Sequence, residues 1–388
     1  MLCVRVAIDA RAAIAPGKTG VGYYTWHLVR RLPLVDPTTR YIAWYLNAGG
    51  FLRRRRFFTE VQAPNLSERG TPIPAGVFNR MVSRFDLPRL EWLVGFDVAF
   101  GPNFVPPPTR APRVVVTVHD LGFRLLPTTA PHAVPWWLRG LERTLATATR
   151  VIVPSEATRR DVEEVYAVDP ERIEVIPLGV DTDVFRPSDP EAVHGVRRRF
   201  GIDGPYVLVV GLDRRKNLPR LLEAFRRLPS SVRPTLVLAG GAPWDPDRRD
   251  PVADLLAPIP PDARERIVVT GYVSDRTKAA LLGGADILAY PSLYEGFGLP
   301  ALEAMACGTP VLASNVAALT ELVDGAGVMV DPTDVDAIAD GMGSLLQDDA
   351  LRARLGSAGS DRAGRYGWDT TARRTAEVLR ASADAPVP

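Results

Sequence analysis

Cysteine is nearly absent. Cys3 and Cys307 are the only two and stand far apart, which argues against a disulfide framework or a cysteine-based metal site and points to a reducing compartment. Excess charge is equally scarce: 47 lysines and arginines face 45 aspartates and glutamates, a balance of +2. Such a chain has no overall field to gather nucleic acid or an acidic membrane, so any basic site must be local. Among the basic residues lysine is the rare one, at Lys18, Lys216 and Lys278 alone, which reads as a compositional bias toward arginine. No apolar run approaches the roughly 20 residues needed to cross a bilayer. Residues 1–8 are too short, and lack the basic start, for a signal peptide. A cytosolic protein, at most peripheral to a membrane, is expected.

With 388 residues, 46% apolar and 24% charged, the chain exceeds what one core usually organises, and two domains are expected. Short β-branched and apolar runs recur, each followed by a helix-period stretch, which predicts parallel sheets with helices on both faces. The runs fall at 4–9, 41–45, 98–101, 114–118, 151–154 and 173–177, then at 206–211, 235–240, 267–271, 287–291, 310–314 and 327–331. The fold class is therefore α/β, two doubly wound Rossmann-like domains, with the carboxyl ends of their strands expected around a central cleft. Two prolines and a glycine between Pro177 and Pro187 mark the connection. Expected bounds are 1–184 for the first domain, 185–360 for the second, and 361–388 for a helix crossing back to the first.

The densest set of signals is Tyr290-Pro291-Ser292-Leu293-Tyr294-Glu295-Gly296-Phe297-Gly298-Leu299-Pro300-Ala301-Leu302-Glu303. A strand ends, a turn follows and a helix begins at Pro300, because proline suits a first helical turn. The amides of Gly298 and Leu299 and the positive helix end then face the strand tips as an anion site made of backbone. Glu303, placed in the first turn of that helix, and Glu295 in the loop flank it, and carboxylates accept hydrogen bonds from sugar or ribose hydroxyls. A helix-dipole partner and a solvated loop charge are the plainer reading of the same two residues. Strand, loop and helix start recur at Val209-Val210-Gly211-Leu212-Asp213-Arg214-Arg215-Lys216-Asn217-Leu218-Pro219. Asn217 is expected as N-cap with Pro219 just inside, leaving Arg215 and Lys216 at the helix mouth to neutralise a leaving diphosphate without a metal. The alternative is a solvated basic run paired with Asp213.

In the first half, Val116-Thr117-Val118-His119-Asp120 ends a strand. His27, His132 and His194 sit in helical or loop contexts, so His119 is the candidate to donate a hydrogen bond to a substrate oxygen, with Asp120 orienting it or binding the acceptor; a structural histidine is the other reading. Gly17-Lys18-Thr19-Gly20-Val21-Gly22-Tyr23 opens a helix after the first strand, where glycines admit a ligand to the backbone or simply make a turn. No acidic residue follows the second strand to hold a dinucleotide ribose, so an NAD site is not supported.

Taken together, Glu295-Gly296-Phe297-Gly298-Leu299-Pro300 with Glu303, Arg215-Lys216-Asn217, Gly271-Tyr272-Val273-Ser274, Val153-Pro154-Ser155 and Pro177-Leu178-Gly179-Val180-Asp181 resemble the family 4 retaining glycosyltransferases of the GT-B fold, mannosyltransferase-like branch. The resemblance implies transfer of a hexose from a nucleotide sugar, GDP-mannose as first choice, to a glycan or lipid-linked acceptor, with retained configuration and no metal or other cofactor. It would make His119, Glu295, Arg215 and Lys216 catalytic, with Arg215 and Lys216 on the diphosphate and Glu295 on the donor sugar. Glu303 would hold the ribose, Gly271, Tyr272 and Val273 the base, Gly296, Phe297, Gly298 and Leu299 the sugar and phosphate, and Gly20 and Gly22 the diphosphate. Asp120 and Tyr23 would meet the acceptor, which would make 1–184 the acceptor-binding and 185–360 the nucleotide-sugar-binding domain. Many family members separate the arginine from the lysine by several residues, whereas here the two are adjacent.

Arg53-Arg54-Arg55-Arg56, then Arg80, Arg84 and Arg89 interleaved with Phe78, Met81, Phe85, Leu87 and Trp92, suit peripheral contact with anionic lipid or a solvated face over an ordinary core. Rival functions are an epimerase or hydrolase of the same fold, which needs a further carboxylate for proton transfer, and a non-catalytic nucleotide-sugar binder. Nucleic-acid binding rests on the arginines alone and is not expected.

Overall fold

Strands such as Val-Val-Val-Thr at 114–117 and Tyr-Val-Leu-Val-Val at 206–210 are buried along nearly their whole length, so neither face can be left to water and both must be covered by helices. The computed structural model describes residues 4–14, 20–48, 61–127, 135–229, 232–241 and 251–385. Its contacts divide the chain into two compact units, one formed by Met1–Leu125, Ala130–Gly179 and Trp368–Pro388, the other by Leu126–Thr129 and Val180–Gly367.

The first unit is built on seven parallel strands, β1 (Arg5–Asp9), β2 (Arg40–Leu46), β3 (Leu66–Thr71), β4 (Val98–Gly101), β5 (Val114–Thr117), β6 (Arg150–Val153) and β7 (Ile173–Val175), in the order β3-β2-β1-β4-β5-β6-β7. The second holds six, β8 (Tyr206–Val210), β9 (Thr235–Ala239), β10 (Ile267–Gly271), β11 (Ile287–Tyr290), β12 (Val311–Ser314) and β13 (Gly327–Val330), ordered β10-β9-β8-β11-β12-β13. Both orders reverse at one point, between β1 and β4 and between β8 and β11, and open parallel sheets take ligands at the carboxyl ends of the strands beside such a point. Strand β3 has no counterpart in the sequence analysis. Its Leu-Ser-Glu-Arg-Gly-Thr is an edge without a buried residue, held by register with β2 and by Asn65, whose Nδ2 donates to the carbonyls of Pro33, Asp36 and Thr39.

The helix Trp368–Asp384 completes the first unit against the helix Gly20–Val35. Trp368 stacks on His27 with ring centroids 4.4 Å apart, Arg31 meets Asp369 at 3.0 Å and Arg380 meets the buried Asp36 at 3.1 Å. Burial first, then Arg31 and Arg30, push the His27 pKa down to about 3, and its Nδ1 accepts from Arg31 at 2.9 Å as a neutral ring does. The unfolded chain therefore takes up this proton before the folded one. Stability contributed by the neutral ring is present above the ordinary value near 6.5 and is lost on acidification, by up to about 1.4 kcal/mol per pH unit. Calorimetry between pH 7 and pH 5 should show a steeper fall in Tm for the wild type than for His27→Gln; equal slopes would refute this.

Of the basic-apolar surface, Arg53-Arg54-Arg55-Arg56 lies outside the described residues. Phe78 is fully buried against Trp44, ring centroids 5.6 Å apart, so it belongs to the core rather than to a lipid-facing surface. Phe85 and Trp92 are 62% and 60% exposed, with Arg84 and Arg89 over their rings. Among the described residues no helix is long and apolar enough to cross a membrane.

Candidate functional site

The loops after β8 and β11, the strands that flank the reversal in the second sheet, are stitched together. Leu293 N donates to Arg215 O at 2.8 Å, and Asn217 Nδ2 donates to Pro291 O at 3.2 Å and Pro332 O at 2.6 Å. Asn217 has φ 59°, a left-handed conformation that asparagine tolerates better than most residues. It holds the expected N-cap position of the helix Leu218–Arg226, with Pro219 just inside, but its side chain makes no cap bond; the amide is spent on fastening the loops. The side-chain cap in this stretch is Asp213, which accepts from Arg215 N at 3.0 Å at the start of the 3-10 turn Arg214–Lys216.

That turn splits the two basic residues. Arg215, about a quarter exposed, has its Nε 3.3 Å from Asp213, which is the pairing named above as the plainer reading. Lys216 is 7% exposed, and its Nζ donates to Glu295 Oε1 at 2.6 Å and to Tyr290 Oη at 2.5 Å. A Cβ at Gly211, φ +85°, would stand 3.1 Å from Lys216 Cε, so a glycine at this turn gives the lysine stem its path. Glu295 is 9% exposed and is no solvated loop charge.

Downstream, Gly296, Phe297 and Gly298 are buried and lead into the helix Leu299–Ala306, which begins one residue before the expected Pro300. Phe297 packs edge-on to Tyr366, centroids 5.9 Å apart. Glu303 lies beyond the first turn, which holds no acidic residue, so the helix-dipole role is excluded. Instead Glu303 is 5% exposed and accepts at Oε1 from Lys278 Nζ at 2.8 Å, while its Oε2 is buried with no hydrogen-bond partner. Burial pushes its pKa up, and Lys278 pulls it back. At the end of β10, Gly271 has φ +66°, Tyr272 is 60% exposed and Val273 is half-buried. Arg215, Lys216, Gly271, Tyr272, Val273, Glu295, Gly296, Phe297, Gly298, Leu299 and Glu303 thus all follow the carboxyl ends of β8, β10 and β11.

The remaining candidates belong to the first unit. His119 is 8% exposed; its Nε2 donates to Pro102 O at 2.8 Å, and the ring lies edge-on to Tyr24 and Phe104, 4.8 and 5.6 Å away. Burial lowers its pKa. A neutral imidazole whose Nε2–H is committed to a carbonyl offers Nδ1 as an acceptor, so the expected role as donor to substrate is not the one this ring favours. Asp120 Oδ1 accepts from Gly122 N at 2.8 Å, fixing the turn after His119. Exposed Gly20, buried Gly22 and half-buried Tyr23 open the helix whose Tyr24 touches His119, so the two first-unit motifs meet.

The family model for glycosyl transferases group 1 matches residues 197–362, and that for glycosyltransferase family 4 matches residues 19–184. O-antigen chain mannosyltransferase B of Escherichia coli is 34% identical over 286 residues, 72% of this chain and 73% of that protein. The chain belongs to the family 4 glycosyltransferases. D-inositol 3-phosphate glycosyltransferase of Xylanimonas cellulosilytica is 37% identical over 247 residues, 62% of this chain and 58% of that one. In fold, this glycosyltransferase is similar to HepE of Anabaena in complex with UDP and glucose, with TM-score 0.72, 19% identity, and coverage of 97% of this chain and 100% of that one. It is similar also to WaaG, a glycosyltransferase involved in lipopolysaccharide biosynthesis, with TM-score 0.69, 16% identity, and coverage of 96% and 99%. Its two parallel α/β units are those of the GT-B fold.

Sequence reasoning missed Tyr290 and Lys278 in this glycosyltransferase. The signal for Lys278 was present: where nearly every cation is arginine, two of the three lysines hold the two buried glutamates of the site. A compact ammonium places three donors on one atom, which a planar guanidinium cannot imitate in the same space.

Proposed function

We propose that this chain transfers a hexose from a nucleotide sugar, GDP-mannose as first candidate, to a glycan or lipid-linked acceptor, with retention of configuration and without a metal. The observation that carries the reading is the buried Lys216–Glu295 pair beside the reversal point of the second sheet. An ammonium with three donors on one atom beside a carboxylate with two acceptor oxygens suits a phosphate and a sugar hydroxyl side by side. As the anomeric bond breaks, negative charge grows on the diphosphate, and Lys216, Arg215 and the amides of Gly298 and Leu299 stabilise that charge more than the ground state. The departing phosphate takes the acceptor's proton. For the first unit, this reading gives His119 Nδ1 a sugar hydroxyl to accept from, Gly20 and Gly22 a role toward the diphosphate, and Tyr23 and Asp120 a role toward the acceptor. The mannosyltransferase name of the 34% identical relative supports the choice of mannose. The inositol-phosphate relative favours a second acceptor class, a polyol phosphate.

Release of nucleoside diphosphate from a panel of UDP-, GDP- and ADP-sugars should be fastest with GDP-mannose and unchanged by EDTA, and NMR of the product should show an α-linkage. A β-linked product, or activity lost to EDTA and restored by a divalent ion, would refute the corresponding part. We further infer that exposed Phe85 and Trp92, with Arg84 and Arg89, rest on anionic lipid. Vesicles rich in anionic lipid should co-sediment the protein at low salt; no pelleting removes the idea.

A further inference from the structure

One helix places charge around Glu303. From the helix Asp275–Gly283 come Lys278, bonded to Oε1 at 2.8 Å, and Asp275, itself 3.4 Å from the same ammonium. At the end of its own helix is Cys307, whose thiol is pushed up to about 12 by burial and then by Glu303, and so stays neutral. The helix Asp349–Ala363 turns Gly356 to Gly308 and Gly359 to Met305, with no charge at either contact. Lys278 is the one cation among these groups, and its ammonium also sits 4.8 Å from the centre of the buried Phe185 ring.

A carboxylate this deeply buried goes neutral unless a cation offsets the loss of water. A neutral Glu303 would carry a proton on one oxygen and surrender half of its accepting capacity. Its Oε1 is already committed to Lys278, and the orphaned Oε2 is therefore the acceptor left for a ligand. We propose that Lys278 is a positioning residue of the donor site, holding Glu303 ionised and turned through Oε1 so that Oε2 accepts from the vicinal hydroxyls of the donor's ribose. This rests on the donor reading above and assigns to Lys278 an action exerted through Glu303.

Calorimetry can compare whichever of UDP, GDP and ADP binds tightest with its 2′,3′-dideoxy analogue, across pH 6 to 9. The wild type should prefer the ribonucleotide by about tenfold or more, the worth of one hydrogen bond to a charged group. In Lys278→Met that preference should be lost at pH 6.5 and return only at higher pH, its midpoint displaced upward by about one unit or more. Lys278→Arg keeps the charge but not the compact ammonium, so whatever ribonucleotide preference remains should keep the wild-type midpoint. If Lys278→Met does not fold, Lys278→Gln removes the charge with a polar tip in place and is read identically. A ribonucleotide preference with the wild-type midpoint in the charge-free variant overturns the role of Lys278 and leaves the ribose reading standing. Equal affinity for both nucleotides in the wild type overturns the ribose reading and the role of Lys278 together, and absence of binding by all three diphosphates overturns the donor reading itself.

Discussion

Lys216→Ala should lower kcat/KM for the nucleotide sugar by about 10² to 10³, the usual cost of removing one preorganised donor from developing negative charge. The same change should also destabilise the fold by about 3 kcal/mol or more, because Glu295 is left buried without its cation. The two losses have different causes and can be separated. Removing both charges, as Lys216→Met with Glu295→Gln, takes away the orphaned carboxylate, so chemical denaturation should show most of the stability restored. Turnover should stay low, since Arg215 alone does not replace the buried ammonium of Lys216 at the diphosphate. If rate returns together with stability, the pair is structural only and the proposed mechanism fails. Lys216→Arg should not rescue either property: the stem already runs within 3.1 Å of the space a Cβ would take at Gly211, and a longer, planar head cannot place its donors on Glu295 and Tyr290 at once.

How far such a site can be read from residues alone depends on whether its contacts are local. Parallel strands buried on both faces are continuous apolar runs, so β8, β11 and β12 are legible, whereas β3 shows an edge strand's mixed composition. The Glu295–Leu299 loop is legible because glycine, proline and carboxylate each have a short-range reason to be there. The Lys278–Glu303 pair is not: the partners stand 25 residues apart on two helices, and only the packing of those helices brings them together. Asn217 shows a third case. Asparagine before a helix suits both a side-chain cap and a left-handed residue, and only the distances to Pro291 and Pro332 decide between them.

The other large effect expected is that of Gly298→Ala. Gly298 has φ +105°, and a Cβ there would stand 2.4 Å from Leu319 Cδ2 and 3.3 Å from Leu322 Cδ2, both side chains in the core. The conformation alone costs an alanine about 1 to 2 kcal/mol, and overpacking adds about 1 to 3. At about 2 to 4 °C per kcal/mol for a unit of this size, the second unit should melt roughly 5 to 15 °C lower. Gly308→Ala is the control, because Gly308 also has a positive φ, +76°, but nothing lies within 4 Å of its Cβ position. It should show the conformational part only, and equal losses at the two sites would exclude the Leu319 contact as a cause. The clash also acts on function. Leu319 is buried among other core side chains and cannot yield all of this distance, so the start of the helix Leu299–Ala306 shares the displacement and carries the amides of Gly298 and Leu299 with it. Nucleoside diphosphate affinity should therefore fall in Gly298→Ala and hold in Gly308→Ala when both are measured well below their melting temperatures.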